Sequence, residues 1–398
     1  MEYTPRYLVM VTANNHNKYY RMTPHGDTWT AEFGRVGAKA QIATYPRNQW
    51  DKKYREKINK GYKDQTDLAQ DLIQVVRADS NYKPISNVYI AKIVDRLQSM
   101  ASAAVNANYN IASNAVTKAM VSDAQRIIDG MVGINDLYTF NNTLIQLFTV
   151  IPRKMSNVNM FLAGNTSEFK NIIKREQDLL DVMRGQVIQH VTVDTTYAKG
   201  DKTILDSLGL IFEECTPDDI AIIKSSLGNC SASLKNAWKV TNTKTQARFD
   251  AYCKENHIRG KKLLFHGSRN ENWWSIINTG LVLRPTNAVI TGKMFGYGLY
   301  FAPLAQKSLG YTSLQGSYWT GGNASSGFMA LMNVATGTAY NVYSFDSKYY
   351  NFNYNALQKA QQGASCLHAH AGKMLRNDEI VVYKEDQCTI KYLIELSR

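Results

Sequence analysis

The sequence predicts a multidomain α+β protein: a small antiparallel sheet with one helix, then an all-α bundle, then a region of mixed or mainly antiparallel sheet. Three observations predict it. Residues 1–65 alternate apolar with polar positions, residues 66–190 hold almost no Gly or Pro clusters and repeat at helical spacing, and residues 200–398 break into short apolar runs between Gly-, Asn- and Ser-rich loops. At 398 residues the chain is also too long for one ordinary core, and the expected domains are 1–66, 67–195 and 200–398.

Each element has its own signal. Tyr7-Leu8-Val9-Met10-Val11 and Lys18-Tyr19-Tyr20-Arg21-Met22 read as strands, and the turn His25-Gly26-Asp27 leads into a third, Trp29-Thr30-Ala31-Glu32-Phe33. A basic helix is expected over about 46–61, ended by Gly61. In the bundle, Ile90, Ile93, Val94 and Leu97 share one helical face, and Leu144, Ile145, Leu147 and Phe148 share another that Pro152 closes. Ile172, Ile173, Leu179, Leu180 and Met183 line a helix over about 167–184. Strands are expected at 208–212, 262–265, 298–301, 380–383 and 392–396, and the Asn/Tyr-rich stretch 349–355 reads as a surface loop.

Charge narrows the partners. The net charge is +13, and residues 1–64 carry 12 Lys and Arg against 6 Asp and Glu, so about half the excess sits in one sixth of the chain. Such a balance favours polyanions. The 24 Tyr fit surfaces that stack on flat ligands. Five Cys with no close pair point to a reducing compartment rather than a disulfide framework or a zinc finger. No apolar run approaches the ~20 residues that span a bilayer. The start lacks a basic segment followed by an apolar one, so the expectation is an intracellular protein with no membrane partner.

The sharpest motif lies in 262–311. The strand Lys262-Leu263-Leu264-Phe265 runs into His266-Gly267-Ser268-Arg269. About 30 residues later comes Thr291-Gly292-Lys293-Met294-Phe295-Gly296-Tyr297-Gly298-Leu299-Tyr300-Phe301-Ala302, then Lys307-Ser308 and Tyr311 at helical spacing, and much later Asn377-Asp378-Glu379 opens a strand. This ordered set resembles the catalytic domain of the poly(ADP-ribose) polymerase family with its His-Tyr-Glu triad: His266 matches the first member, Tyr300 the second and Glu379 the third. The resemblance implies an ADP-ribosyltransferase β-sandwich that uses NAD+ as substrate.

The chemistry suits the residue types. Nicotinamide leaves a cationic ring as a neutral one, so no general acid is needed; an oxocarbenium-like ribose is what needs stabilising. Glu379 can bind the ribose 2′-OH more tightly as that charge develops, and can orient or deprotonate an incoming hydroxyl. Tyr311 and Tyr300 would flank the nicotinamide ring. By resemblance, Gly267 and Ser308 bind the carboxamide, His266 and Ser268 lie on the adenosine ribose, and Lys307 sits beside Glu379. Taken singly, each has an ordinary reading: a satisfied strand-end His, a core Tyr, a loop carboxylate. Gly296 and Gly298 precede a strand instead of opening a helix, so they make no dinucleotide fingerprint. His368-Ala369-His370 with Cys366 lacks a second cluster, so coincidental loop histidines are favoured and no metal is expected.

Phe33-Gly34-Arg35-Val36-Gly37 resembles the WGR module of the same family, with Phe33 where Trp is usual. By that resemblance the module grips broken DNA, with Phe33 stacking and Arg35, Lys52 and Lys53 meeting the sugar-phosphate chain. The basic helix taken alone reads as a solvated face. The bundle over 85–190 resembles the family's helical regulatory domain, which implies autoinhibition relieved by DNA; a passive spacer is the plainer reading. Lys293 stands where the family often has Tyr, and the loop 283–291 is this chain's own. The implied function is polymer synthesis on acceptor proteins, itself included, in response to DNA strand breaks, with an acceptor pocket beside Met294. The alternatives are mono-transfer to protein or DNA ends, and a DNA-binding protein with a silent transferase domain. The implied location is the nucleus in a eukaryote and the cytoplasm or nucleoid in a bacterium.

Overall fold

The computed structural model describes residues 3–66, 82–109, 117–191, 202–283, 294–314, 316–317, 320–321 and 324–398. Among these, 3–66 group with 102–109 and 117–190 as one compact unit, and 82–101 group with the described residues from 202 onward as a second. The described part of the expected 67–195 segment is thus divided, with 82–101 in the second unit and 102–109 and 117–190 in the first.

In the first unit, β1 (Arg6–Thr12), β2 (His16–His25), β3 (Thr28–Arg35), β4 (Gln41–Pro46) and β5 (Lys63–Asp64) form a sheet in the order β4-β3-β2-β1-β5, antiparallel at every pairing. Helix α1 (Trp50–Asn59) lays Trp50 against Leu8, Met10, Tyr20, Met22 and Trp29. Strand β1 is buried along its length instead of alternating, because the helix over Leu137–Val150 also packs on it.

Helix α2 (Val88–Asn108) passes from the second unit into the first after Ala101. Helices α3 (Lys118–Met131), α4 (Leu137–Val150) and α5 (Phe169–Val191) complete the first unit. Thr117 caps α3 by accepting from the Met120 N–H at 3.1 Å, and Asp136 caps α4 by accepting from the Thr139 N–H at 2.7 Å. Just past α4, Arg153 is buried in an ion pair with Glu176 of α5, and its guanidinium also donates to Asn108 Oδ1 at 3.1 Å.

The second unit opens with α6 (Ile204–Leu208), β6 (Leu210–Glu214), α7 (Pro217–Leu227), β7 (Leu234–Asn242), α8 (Thr243–Glu255) and β8 (Lys261–Gly267). Capping boxes at Thr203/Asp206 and Thr216/Asp219 start α6 and α7. Then come α9 (Trp273–Thr279), β9 (Leu299–Phe301), α10 (Ala305–Leu309), the short pair β10 (Gly316–Ser317) and β11 (Thr320–Gly321), and β12 (Ser326–Ala335). The chain finishes with β13 (Ala339–Val342), α11 (Tyr354–Ala360), β14 (Cys366–Ala369), β15 (Glu379–Val382) and β16 (Cys388–Ser397).

Two sheets result. One has the order β6-β7-β16-β12-β8 and is antiparallel throughout; the other has the order β13-β14-β15-β9, with β13 and β14 parallel. The α+β class and the mixed sheets follow the expectation. Strand β12, central and almost wholly buried, escaped it, since a continuous apolar run carries no alternation. The surface loop expected at 349–355 is instead a short 3-10 turn running into α11. Tyr349 and Phe352 are buried against Phe295, Leu367 and Tyr383, because rings that large are drawn into the core. No helix among the described residues is long and apolar enough to cross a membrane.

Candidate active site

The two sheets of the second unit meet edge to edge. Strand β8 ends one sheet and β9 ends the other, and Phe265 and Ala302 join them through reciprocal backbone bonds of 2.8 and 2.9 Å. His266 follows Phe265. Its Nδ1 lies 3.1 Å from the carbonyl oxygen of Tyr300. A carbonyl only accepts, so Nδ1 carries the proton and Nε2 is left as an acceptor when the ring is neutral. Burial holds the imidazole pKa below its usual value, which keeps it neutral.

Tyr300 pairs with Val381 across the β9–β15 ladder, and Glu379 lies two residues before Val381. Residues two apart on a strand share a face, so Tyr300 and Glu379 are diagonal neighbours. The Tyr300 hydroxyl is fully engaged: it donates to the Gly296 carbonyl at 2.8 Å and accepts from the Phe295 N–H at 3.1 Å. Burial pushes its pKa far up.

Glu379 is 7% exposed. Lys307 of α10 meets its Oε1 at 3.0 Å and also donates to the Asn377 carbonyl at 3.3 Å. Burial raises the carboxyl above its usual range, and the Lys307 ammonium partly offsets that rise. The Glu379 charge also reaches Tyr311, whose phenol is raised first by burial and then by that carboxylate. Tyr311 keeps 41% exposure, so one side of its ring is open.

Gly267 ends β8 under α10. A Cβ there would lie 2.1 Å from the Ser308 carbonyl oxygen, so only glycine lets α10 approach this closely. Ser308 is buried on that helix, and Ser268 accepts from Asn272 Nδ2 at 3.0 Å. The fold therefore brings His266, Gly267, Tyr300, Lys307, Ser308, Tyr311 and Glu379 to one junction. Lys293 and the adjoining loop from residue 284 lie outside the described residues. A separate cavity of about 410 Å³, lined by Arg96, Lys235, Trp238 and Glu395 among others, includes none of these residues.

Comparison with known proteins decides what this junction belongs to. Residues 219–398 match the poly(ADP-ribose) polymerase catalytic domain. The chain is 33% identical over 167 residues to the poly [ADP-ribose] polymerase-like protein 100L of Invertebrate iridescent virus 6, spanning 84% of that protein and 40% of this chain. The chain belongs to the poly(ADP-ribose) polymerase family. It is an ADP-ribosyltransferase, and the catalytic domain of this family uses NAD+ as substrate and acts on protein acceptors. Another relative, protein 101L of the same virus, is 32% identical over 189 residues, which is 46% of this chain and 78% of that protein. Poly [ADP-ribose] polymerase 1 of Arabidopsis thaliana is 26% identical over 253 residues, 59% of this chain and 25% of that larger polymerase.

The residues this polymerase-family chain offered for DNA are placed less uniformly. Lys52 is exposed on α1. Lys53 lies over the Tyr45 ring at 5.1 Å and near Glu56 at 3.6 Å. Phe33 leans on Tyr20, ring centroids 5.5 Å apart. Arg35 has partners within the first unit. Its guanidinium donates to Asn15 O at 3.0 Å, Asn15 Oδ1 at 2.8 Å, Met155 O at 3.1 Å and Ser156 O at 2.7 Å, so it is committed within the first unit. Lys57 was not singled out by sequence, yet its ammonium lies 4.2 Å from the Tyr20 ring centroid and 5.7 Å from that of Phe33. Asn377 and Asn272 were missed as well; their only sequence signal is proximity to Glu379 and Ser268.

Proposed function

We propose that this chain is a DNA-responsive poly(ADP-ribose)-forming transferase, and the observation that carries the catalytic part is the buried Glu379–Lys307 pair beside Tyr300. In this reading nicotinamide lies between the Tyr300 and Tyr311 rings, with its carboxamide on Gly267 main-chain groups and the Ser308 hydroxyl. His266 Nε2 accepts from an adenosine-ribose hydroxyl near Ser268. The ribose–nitrogen bond breaks, its electron pair goes to the pyridine ring, and Glu379 stabilises the developing cation through the 2′-OH. The acceptor hydroxyl or carboxylate then bonds to the anomeric carbon, and any proton it loses passes to solvent, assisted by Glu379. Lys307 keeps the carboxylate ionised and aimed.

The DNA part of the reading rests on charge and rings. The basic face of α1 with Lys52, and the partly exposed Phe33 ring with the Lys57 ammonium 5.7 Å from its centroid, offer cations and one flat surface to a strand end. We read residues 1–66 as a WGR module, the helices up to 195 as a regulatory region that restrains turnover, and 200–398 as the transferase. Such an enzyme works where DNA is, in a nucleus or a nucleoid. Nicotinamide release measured with and without nicked DNA tests the whole reading, and turnover indifferent to DNA defeats the responsive part. Products run on a gel decide polymer against mono-transfer: a ladder supports the proposal, and a single shifted band favours the alternative.

A further inference from the structure

Outside the junction, β14 and the entrance to β15 assemble a second cluster. His368 Nε2 lies 2.7 Å from Asp378 Oδ2, and His370 Nδ1 lies 3.7 Å from the same oxygen. The three ligand atoms fall within 4.8 Å of one another and all three residues are partly exposed, so an ion can enter. Ala369 pairs with Glu379, so the two imidazoles flank the rung that carries the carboxylate of the NAD+ site. Cys366, the partner the sequence offered, is fully buried and outside the group.

The surroundings are those of a ligand set. His370 Nε2 lies 2.8 Å from Asn341 Oδ1 on β13, and an amide oxygen only accepts. The proton therefore sits on Nε2, and Nδ1 turns its lone pair toward His368 and Asp378. The other oxygen of Asp378 accepts from the Ala371 N–H at 2.8 Å, which aims Oδ2 at both rings. Tyr343 stacks on His370 at 4.4 Å and His370 on His368 at 3.8 Å; an ion lies in the plane of each ring that binds it, so the two imidazoles turn out of this stack to share one. Outer groups that set a histidine tautomer and hold a carboxylate are what metal sites use to orient their ligands.

We propose that His368, His370 and Asp378 bind one divalent transition ion of the Zn2+ class, with solvent in the fourth position. Two imidazole nitrogens and one carboxylate oxygen suit Zn2+ and exclude Mg2+ and Ca2+, which take oxygen. Bond lengths of ~2.0–2.1 Å in a tetrahedron need ligand atoms roughly 3.3 Å apart, so the close pair opens slightly and the wider ones close. The ion takes the place of the hydrogen bond between His368 Nε2 and Asp378, and the one proton of the neutral ring moves from Nε2 to Nδ1 by exchange with solvent. Occupancy pins β14 to the start of β15.

Titration of the full chain, freed of metal, with Zn2+ against a chromophoric chelator tests this without reference to turnover. The expected result is one equivalent bound by the natural chain, abolished in His370→Ala and His368→Ala, and weakened ~10–100-fold in Asn341→Ala, which removes no ligand. Asn341→Ala keeps the test decisive where a histidine variant does not fold. Co2+ in place of Zn2+ should give weak visible bands without thiolate charge transfer. No binding by the natural chain, undiminished binding in His370→Ala or Asn341→Ala, or a thiolate spectrum from the five cysteines overturns the site.

Discussion

In the proposed mechanism, Glu379 sets the chemistry and the pH behaviour of the site. Glu379→Gln should lower kcat for nicotinamide release by about 10²–10³-fold while leaving an NAD+ analogue bound, as read by single-turnover kinetics and calorimetry. Burial raises the folded carboxyl pKa above its usual 4.5. Between those two values the folded state binds more protons than the unfolded one, so this group's contribution to stability falls as pH rises through the window and is level above it. Activity runs the other way, since the ionised form is needed, and kcat/KM should rise over the same window. Lys307→Met removes the offsetting charge, so the acid limb of that profile should move to higher pH; an unmoved limb refutes the pairing as the control. Gly267→Ala places a methyl 2.1 Å from the Ser308 carbonyl. It should cost about 1–3 kcal/mol in chemical denaturation and raise KM for NAD+.

At the scale of elements, the buried Arg153 ties the exit of α4 to α5 through Glu176 and to α2 through Asn108. Arg153→Ala leaves Glu176, a carboxylate with 1% of its side chain exposed, with Arg175 at 2.9 Å as its remaining ion-pair partner among the described residues. Removing one partner of a buried pair typically costs about 3–5 kcal/mol, which denaturation of the full chain can measure. The sequence shows the α4 and α5 faces by their periodicity. It says nothing of this tie, because an arginine after a proline looks solvent-bound until three helices converge on it. The same holds for Arg35: its motif reads as a DNA-binding position, while the fold gives its donors to Asn15, Met155 and Ser156. Lys52 is exposed and Lys53 half-buried on α1. Replacing both with Ala should weaken DNA binding uniformly across sequences and lower the salt slope by about 1 for each phosphate no longer neutralised.

Across the whole molecule, the course of α2 decides how a regulatory test should be built. Its first two thirds group with the catalytic unit, where Arg96 meets the fully buried Glu395 at 2.7 Å. Deleting 85–190 strips that carboxylate of this partner, whereas deleting 102–190 keeps the ion pair. If the helices restrain turnover, the shorter deletion should release nicotinamide without DNA at least about tenfold faster than the intact chain does without DNA. A folded deletion that stays idle argues for a passive spacer.

The sequence by itself determined the family, and with it the ordered set of residues proposed to carry the chemistry. His266-Gly267-Ser268, Tyr300, Lys307-Ser308 and Glu379 stand at strand ends and on a short helix, and such positions are written in local runs and spacings. It also determined the α+β class, through the change from alternation to helical period and back. Only the tertiary structure decided what each residue faces: Glu379 diagonal to Tyr300, Asp378 beside His368 and His370, Arg35 on Asn15, Met155 and Ser156, and β12 between β16 and β8. The physical reason is that local periodicity records which side of an element is apolar, while the partner across a ladder is fixed by register between segments far apart in the chain.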